Sequence, residues 1–264
     1  MQTRWTKLLH LIFLAFVVPS LISACASSAR VDAKARSFQK VGVISVAAAY
    51  FTQMKVGFTA FGNNELEADI SELGLDRDYE AIVSKALRSR AGLEAAPVAT
   101  IPDSLKTMFQ PSTSLHVAFD IDSRWSTAEE TFRAIAKSNN VEALVVLAPM
   151  TSGDYFGRTN QLLRGFGTYT RSSTVKLHLI SRLVVISGES GKPIGHAPVS
   201  AVQPTFPGGP HQRGQPSVDI TNALAGTPFS SMTAEQKGQL RQSALTIPLA
   251  AAIDATIPEL LPAK

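Results

Sequence analysis

Cysteine is nearly missing from this chain: Cys25 stands alone among 264 residues. A disulfide framework needs pairs, and a thiolate metal or redox site needs Cys or His partners at short spacing, so Cys25 belongs to neither. A surplus of one charge is missing as well. The chain has 25 Lys and Arg against 21 Asp and Glu. Two of those cations, Arg4 and Lys7, fall in the first 24 residues, which hold no acid, and the remainder is nearly balanced. With no concentrated basic stripe, nucleic acid is not expected as a partner. Charged residues make up 17% and hydrophobic residues 45%, the balance of a packed chain rather than a disordered one. There is no internal repeat, no heptad pattern and no Gly-x-Ser-x-Gly nucleophile elbow. The later histidines, His116, His178, His196 and His211, never fall two to five residues apart, the spacing of local metal ligands.

What is present begins at the N-terminus. Met1–Lys7 carries Arg4 and Lys7, and Leu8–Ile22 is almost wholly apolar, broken by His10, Pro19 and Ser20. A basic segment, an apolar run and small residues before a cut make a secretory signal. The apolar run is short for a membrane span of about 20 residues. Ile22-Ser23-Ala24-Cys25 resembles the lipobox of bacterial lipoproteins. The resemblance implies a diacylglycerol on the Cys25 thiol, cleavage before Cys25 and acylation of the new amino group. Several acyl chains together anchor stably where one binds only marginally. The expected partner is therefore a membrane, through lipid on Cys25. Ala26 follows where an Asp tends to retain lipoproteins in the inner membrane, which favours the periplasmic face of an outer membrane.

Residues 1–24 are thus a signal peptide and 25–39 a small, polar tether. Residues 40–264 form one domain of α/β (or α+β) class: a mixed sheet, packed helices, a long hairpin and C-terminal helices. Strands are predicted over Lys40–Tyr50 and, by alternation, Met54–Phe61, with a turn at Gly62-Asn63-Asn64. Tyr79, Ile82, Val83, Ala86 and Leu87 share one face of a helix over Asp76–Ala91, with Arg77, Glu80, Lys85 and Arg88 elsewhere and Gly92 as the stop. Ser126-Thr127-Ala128-Glu129 has the form of a capping box for a helix to Lys137. Ala143–Leu147 is a strand buried on both faces. Thr168–Ser187 is predicted as one long strand, turning at Gly188–Gly191 and returning over Pro193–Val202. Val202–Ser217, rich in Pro and Gly, is predicted as an exposed loop. A second capping box, Thr233–Gln236, opens a helix to Thr246, and Pro248 precedes a last helix over Leu249–Leu261.

Three stretches carry candidate chemistry. Gly188-Glu189-Ser190-Gly191-Lys192 has the end of a phosphate-binding loop, but Ile186 stands at the first glycine position and Pro193 where Ser or Thr would hold magnesium. It is a hairpin turn. His116, Asp120 and Asp122 would share one face of a strand and suit a divalent cation, although a plain amphipathic edge strand gives the same alternation. Tyr155, Phe156, Arg158 and Arg164 interleave aromatics with Arg as contact surfaces do. They suit equally a loop whose rings pack on the sheet.

Two wider likenesses follow. Val41-Gly42-Val43-Ile44-Ser45, Val56–Asn63 and Gly74-Leu75-Asp76 resemble a set of uncharacterised bacterial proteins over roughly residues 40–90. Leu183-Val184-Val185-Ile186-Ser187 with Gly191-Lys192-Pro193-Ile194 resembles the hairpin of envelope-assembly lipoprotein domains, as in the curli-secretion lipoprotein and the TolB N-terminal domain. The hairpin Asp of that pattern is absent, and the two N-terminal strands depart from it. The expected function is a non-catalytic envelope lipoprotein that binds an envelope protein or cell-wall partner, with no cofactor. The alternative is a membrane-anchored, metal-assisted hydrolase using His116, Asp120 and Asp122.

Overall fold

The apolar run at residues 143–147 forms the middle of the molecule. In the computed structural model it is β5 (Ala143–Pro149), paired in parallel with β1 (Lys40–Ser45) and antiparallel with β8 (Thr174–Ser187). The structure describes residues 38–57, 63–109, 125–154, 156–157, 159, 161–204, 211–214, 216–220, 224 and 226–261, with backbone alone for 201–204 and 211–214. All of these belong to one compact unit. β4 (Glu94–Pro97) pairs in parallel with β1.

Burial on both faces of this parallel part explains its nearly continuous hydrophobicity. Ile44, Val46, Leu144, Val146, Val184 and Ile186 pack on one side against Phe132, Ile135 and Ala136 of helix α3 (Glu129–Ser138), with Trp125 and Phe109. Val41, Val43, Val145 and Leu147 point the other way by strand alternation and are equally buried. Helix α1 (Leu75–Ala86) lies along β1 and β4, and helix α5 (Leu249–Leu260) along α1 and β9 (Pro193–Pro198). A short helix, α2 (Asp103–Met108), contributes Leu105 to the α3 side. The remaining helix, α4 (Ala234–Leu245), begins with the predicted box: Thr233 accepts from the Gln236 amide at 3.2 Å, and Gln236 accepts from the Thr233 amide at 2.9 Å.

β8 is shared by two sets of strands. Its second half lies between β5 and β9, and the Ser187–Gly191 turn of the β8–β9 hairpin occupies the stretch with phosphate-loop likeness. Its first half lies between β7 (Leu162–Arg171) and β12 (Ser217–Asp219). Beyond β7 come β2 (Tyr50–Val56), parallel to it, and β3 (Asn64–Asp69), antiparallel to β2. β6 (Thr151–Gly153) pairs with the start of β7.

Several expectations change. The single strand over residues 168–187 is two strands, β7 and β8, joined at Ser172, whose φ is 54°. A non-glycine residue there is uncommon, and no Gly, Pro or Asn marks the turn in the sequence. The second strand starts at Tyr50 rather than Met54, and β3 lacks a strand signature in the sequence because three of its six residues are acids. α3 starts at Glu129 with Ala128 as its N-cap and no side-chain cap there, so the 126–129 box does not cap it. Burial decides that turn instead: Trp125 stacks on Phe132, their centroids 5.6 Å apart. Within 202–217, β10 (Ala201–Pro204) pairs with β11 (His211–Gly214) as a two-stranded ribbon. Helix α1 continues as a π-helical turn, Leu87–Ala91, that stops at Gly92 as expected, with φ of 63°.

Candidate functional site

Two acids with raised pKa meet at the C-terminal end of β1, where open α/β sheets commonly place ligands. Gly74, in the left-handed region with φ of 66°, turns the chain into α1 and sets Asp76 in its first turn. The Asp76 carboxylate favours that position because the helix amides there carry partial positive charge. Its Oδ1 accepts from the Ser45 hydroxyl at 2.6 Å and the Ala48 amide at 3.0 Å. One turn later Glu80, fully buried, accepts from the Ser45 amide at 3.2 Å and from the Arg77 guanidinium at 2.9 Å. Arg77 also donates to the carbonyls of Val98 and Ala99 at 3.0 and 3.1 Å. Beside these groups lies a cleft of about 270 Å³, lined in part by Thr100 and Lys106.

Burial raises both carboxyls above their ordinary range. For Asp76 the Ser45 hydroxyl, the backbone amides and Lys106 work against that rise. For Glu80 the Ser45 amide and Arg77 do so. Raised carboxyls in a cleft have the character of acid–base groups. Here, however, one Asp76 oxygen takes two donors, and each Glu80 oxygen takes one. The arrangement ties the β1–β2 connection to the start of α1. Sequence periodicity had set Glu80 on the polar side of the helix; a buried polar partner on β1 draws it inward instead. The only sequence signal for this cluster was the Gly74-Leu75-Asp76 string.

A second polar cluster organises the β6–β7 tip, within the stretch singled out for its aromatics. Burial works against the charged Asp154 carboxylate. The Gly157 amide at 2.7 Å, the Thr159 hydroxyl and amide at 2.5 and 3.2 Å, and the Tyr169 hydroxyl at 3.0 Å outweigh it and lower its pKa. Tyr169 is pushed up to about 12, first by burial and then by Asp154. Phe156 covers Tyr169 and His178, at centroid separations of 5.4 and 5.8 Å. Beneath it, burial pushes His178 down to about 4, against the pull of the Gly165 carbonyl 3.3 Å from Nδ1. The imidazole is therefore neutral at ordinary pH.

Of the residues singled out from the sequence, Phe156 is half-buried on the sheet. Arg164, also half-buried, offers its carbonyl to the Thr52 hydroxyl at 3.0 Å. Cys25, His116, Asp120, Asp122, Tyr155 and Arg158 lie outside the described residues. Among the described residues no three His, Cys, Asp or Glu side chains converge as a metal site.

No family model and no curated protein matches the chain. Among solved structures it is similar to a PelC dodecamer from Paraburkholderia phytofirmans, at 10% identity over 86% of this chain and 89% of that one, with a TM-score of 0.29. It is also similar to the lipoprotein GNA1162 from Neisseria meningitidis, at 10% identity over 78% of this chain and 95% of that one, with a TM-score of 0.28. Neither superposition is close enough to carry over a residue.

Proposed function

We propose that this chain is a lipid-anchored protein of the bacterial cell envelope that acts by binding an envelope protein or cell-wall partner, not by catalysis. The observation that carries the anchor is Ile22-Ser23-Ala24-Cys25 at the end of a basic-then-apolar segment, with no second cysteine to claim the thiol. Among the described residues no helix is long and apolar enough to cross a membrane. Ala26 supports delivery to the periplasmic face of an outer membrane. The binding role is supported by the use made of the perturbed acids: Asp76 Oδ1 and both oxygens of Glu80 and of Asp154 accept hydrogen bonds from the chain's own donors, and so tie loops and helix starts in place.

Mass spectrometry of the N-terminus of membrane-purified protein tests the anchor. An acylated Cys25 with residues 1–24 removed is expected, and Cys25→Ser should leave the precursor uncleaved. An unmodified Cys25 in protein taken from membranes would overturn it.

A further inference from the structure

The two end strands of the sheet are finished differently. At β4, Arg88 donates to the Ala95 carbonyl at 2.5 Å, and the strand ends in Pro97, which has no amide hydrogen to offer. At the opposite end, β3 pairs with β2 alone among the described residues. It runs six residues without proline or register shift, and all but half-buried Ala68 are exposed. An edge of this kind presents unpaired amides and carbonyls along its length.

The β3 side chains sort by face. Glu65, Glu67 and Asp69 stand on the side of Met54, Thr52 and Tyr50. Asn64, Leu66 and Ala68 stand on the side of Lys55, Gln53 and Phe51. Alternate side chains on a strand are about 6 to 7 Å apart, so the carboxylates form a row. Among the described residues no ion pair engages that row, and Asp69 accepts from the Ser71 amide at 2.8 Å. Glu67 is raised above its ordinary range by partial burial and then by Glu65, with Arg164 opposing. A cation set opposite would relieve that repulsion. Cavities of about 490 and 480 Å³ flank Leu66 and reach Pro228; the second also reaches Phe229 and Lys237 and touches Glu67 and Asp69 at the strand edge. Leu66 is 43% exposed. Gln53 fixes the groove wall, donating to the Thr227 carbonyl at 2.9 Å and accepting from the Phe229 amide at 3.1 Å.

We propose that the β3 edge takes up an extended segment of a partner protein as an added strand, with Lys or Arg at alternate positions and apolar side chains between them. Backbone pairing would supply affinity, the groove beside Leu66 would take the apolar side chains, and the carboxylate row would select the cations. Charges on an edge guard against association, but they do so selectively. A second copy of β3 would set acid against acid, whereas a cationic strand meets opposite charge. The proposal rests on the binding reading above and names the chemistry of the partner.

The test uses the full chain in neutral detergent and two synthetic ten-residue peptides of equal composition. One alternates Lys with Val, and the other places its lysines together. Binding is read by fluorescence anisotropy, and strand addition by hydrogen exchange at the β3 amides. The alternating peptide should bind about tenfold more tightly than its rearranged control and slow exchange in β3. Joint replacement Glu65→Lys, Glu67→Lys and Asp69→Lys should cost about tenfold or more. The neutral set Glu65→Gln, Glu67→Gln and Asp69→Asn should cost less, and it tests the row even if the reversed variant fails to fold. Equal binding of the two peptides, or unchanged β3 exchange with either bound, would reduce the effect to plain charge attraction and overturn the proposal. So would no binding at all. Lipidation of Cys25 is read separately by mass, so failure here leaves the anchor standing.

Discussion

The strands on either side of β8 illustrate two ways of completing a sheet. β4, β1 and β5 are parallel, lie between helices and are made of apolar runs. β3, β2 and β7 are joined to the first half of β8, carry more polar residues and are covered in part by a loop tip and the segment around Phe229. The helix-covered half is held by non-directional burial on two faces. The other has its own buried aromatics, Phe51 and Phe166, and is fixed at its margins by particular hydrogen bonds, such as those of Gln53 and Asp154. Damage to a large apolar group should therefore be felt most in the first half, and the open edge of the second half should tolerate change.

The largest effect should come from Phe132→Ala. Phe132 is completely buried under Trp125 and the β1–β5 surface, so its loss should cost about 3–5 kcal/mol in denaturant unfolding. Leu66→Ala on β3 should change stability by about 0.5 kcal/mol or less. Comparable losses at the two sites would dissolve the distinction.

Next in size is Asp76→Ala, which strands the Ser45 hydroxyl and the Ala48 amide and should cost about 1–3 kcal/mol. Asp76→Asn keeps an oxygen for both donors and should cost much less. The two halves should also respond to pH with opposite sign. Because the folded Asp76 carboxyl is raised, the native state holds that proton more tightly than the unfolded chain. Its contribution is complete below the ordinary value of 3.8 and is lost as pH rises through the raised value. His178 is lowered to about 4 from 6.5, so the unfolded chain takes the proton first. Its contribution is complete above about 6.5 and is lost as pH falls toward 4. Thermal unfolding between pH 4 and 7 should show Asp76→Asn removing a decline toward neutrality, and His178→Gln removing a decline toward acid. Identical pH profiles for these variants and the wild type would contradict both assignments.

The smallest effect concerns His116, Asp120 and Asp122. If their alternation reflects only an amphipathic strand, replacing both aspartates with Asn should shift stability by about 0.5 kcal/mol or less. Magnesium, calcium, manganese and zinc should then leave the thermal midpoint unchanged. A metal-dependent rise in the wild type, lost in the double variant, would bring the hydrolase reading forward, since a ligand bound by the native state stabilises it by mass action.

Legibility followed the same division. The apolar run of β5, the buried face of α1, the Thr233 box and the turn after β8 were all readable, because each depends on residues within a few positions of one another. The β7–β8 turn was not, because Ser172 gives no turn signature. β3 was hidden by its charges, which only an edge position makes tolerable in a strand. Of the aromatic stretch, the described Phe156 is a cover over His178 and Tyr169, and that role depends on β8 returning beside β7.

The amino-acid order by itself determined the periodicities, caps and composition of this protein, and the lipobox-like segment at Cys25, because those are local properties of neighbouring residues. Tertiary structure alone decided which polar groups are buried and which edge stays open. Glu80 is an ordinary exposed-face glutamate until the Ser45 amide, 35 residues away in sequence, is brought to its carboxylate. The Glu65, Glu67 and Asp69 row becomes a surface only once β2 has paired with one side of β3 and left the other unpaired among the described residues. Desolvation and strand pairing act between groups distant in sequence, so neither is encoded in the spacing of the residues that undergo it.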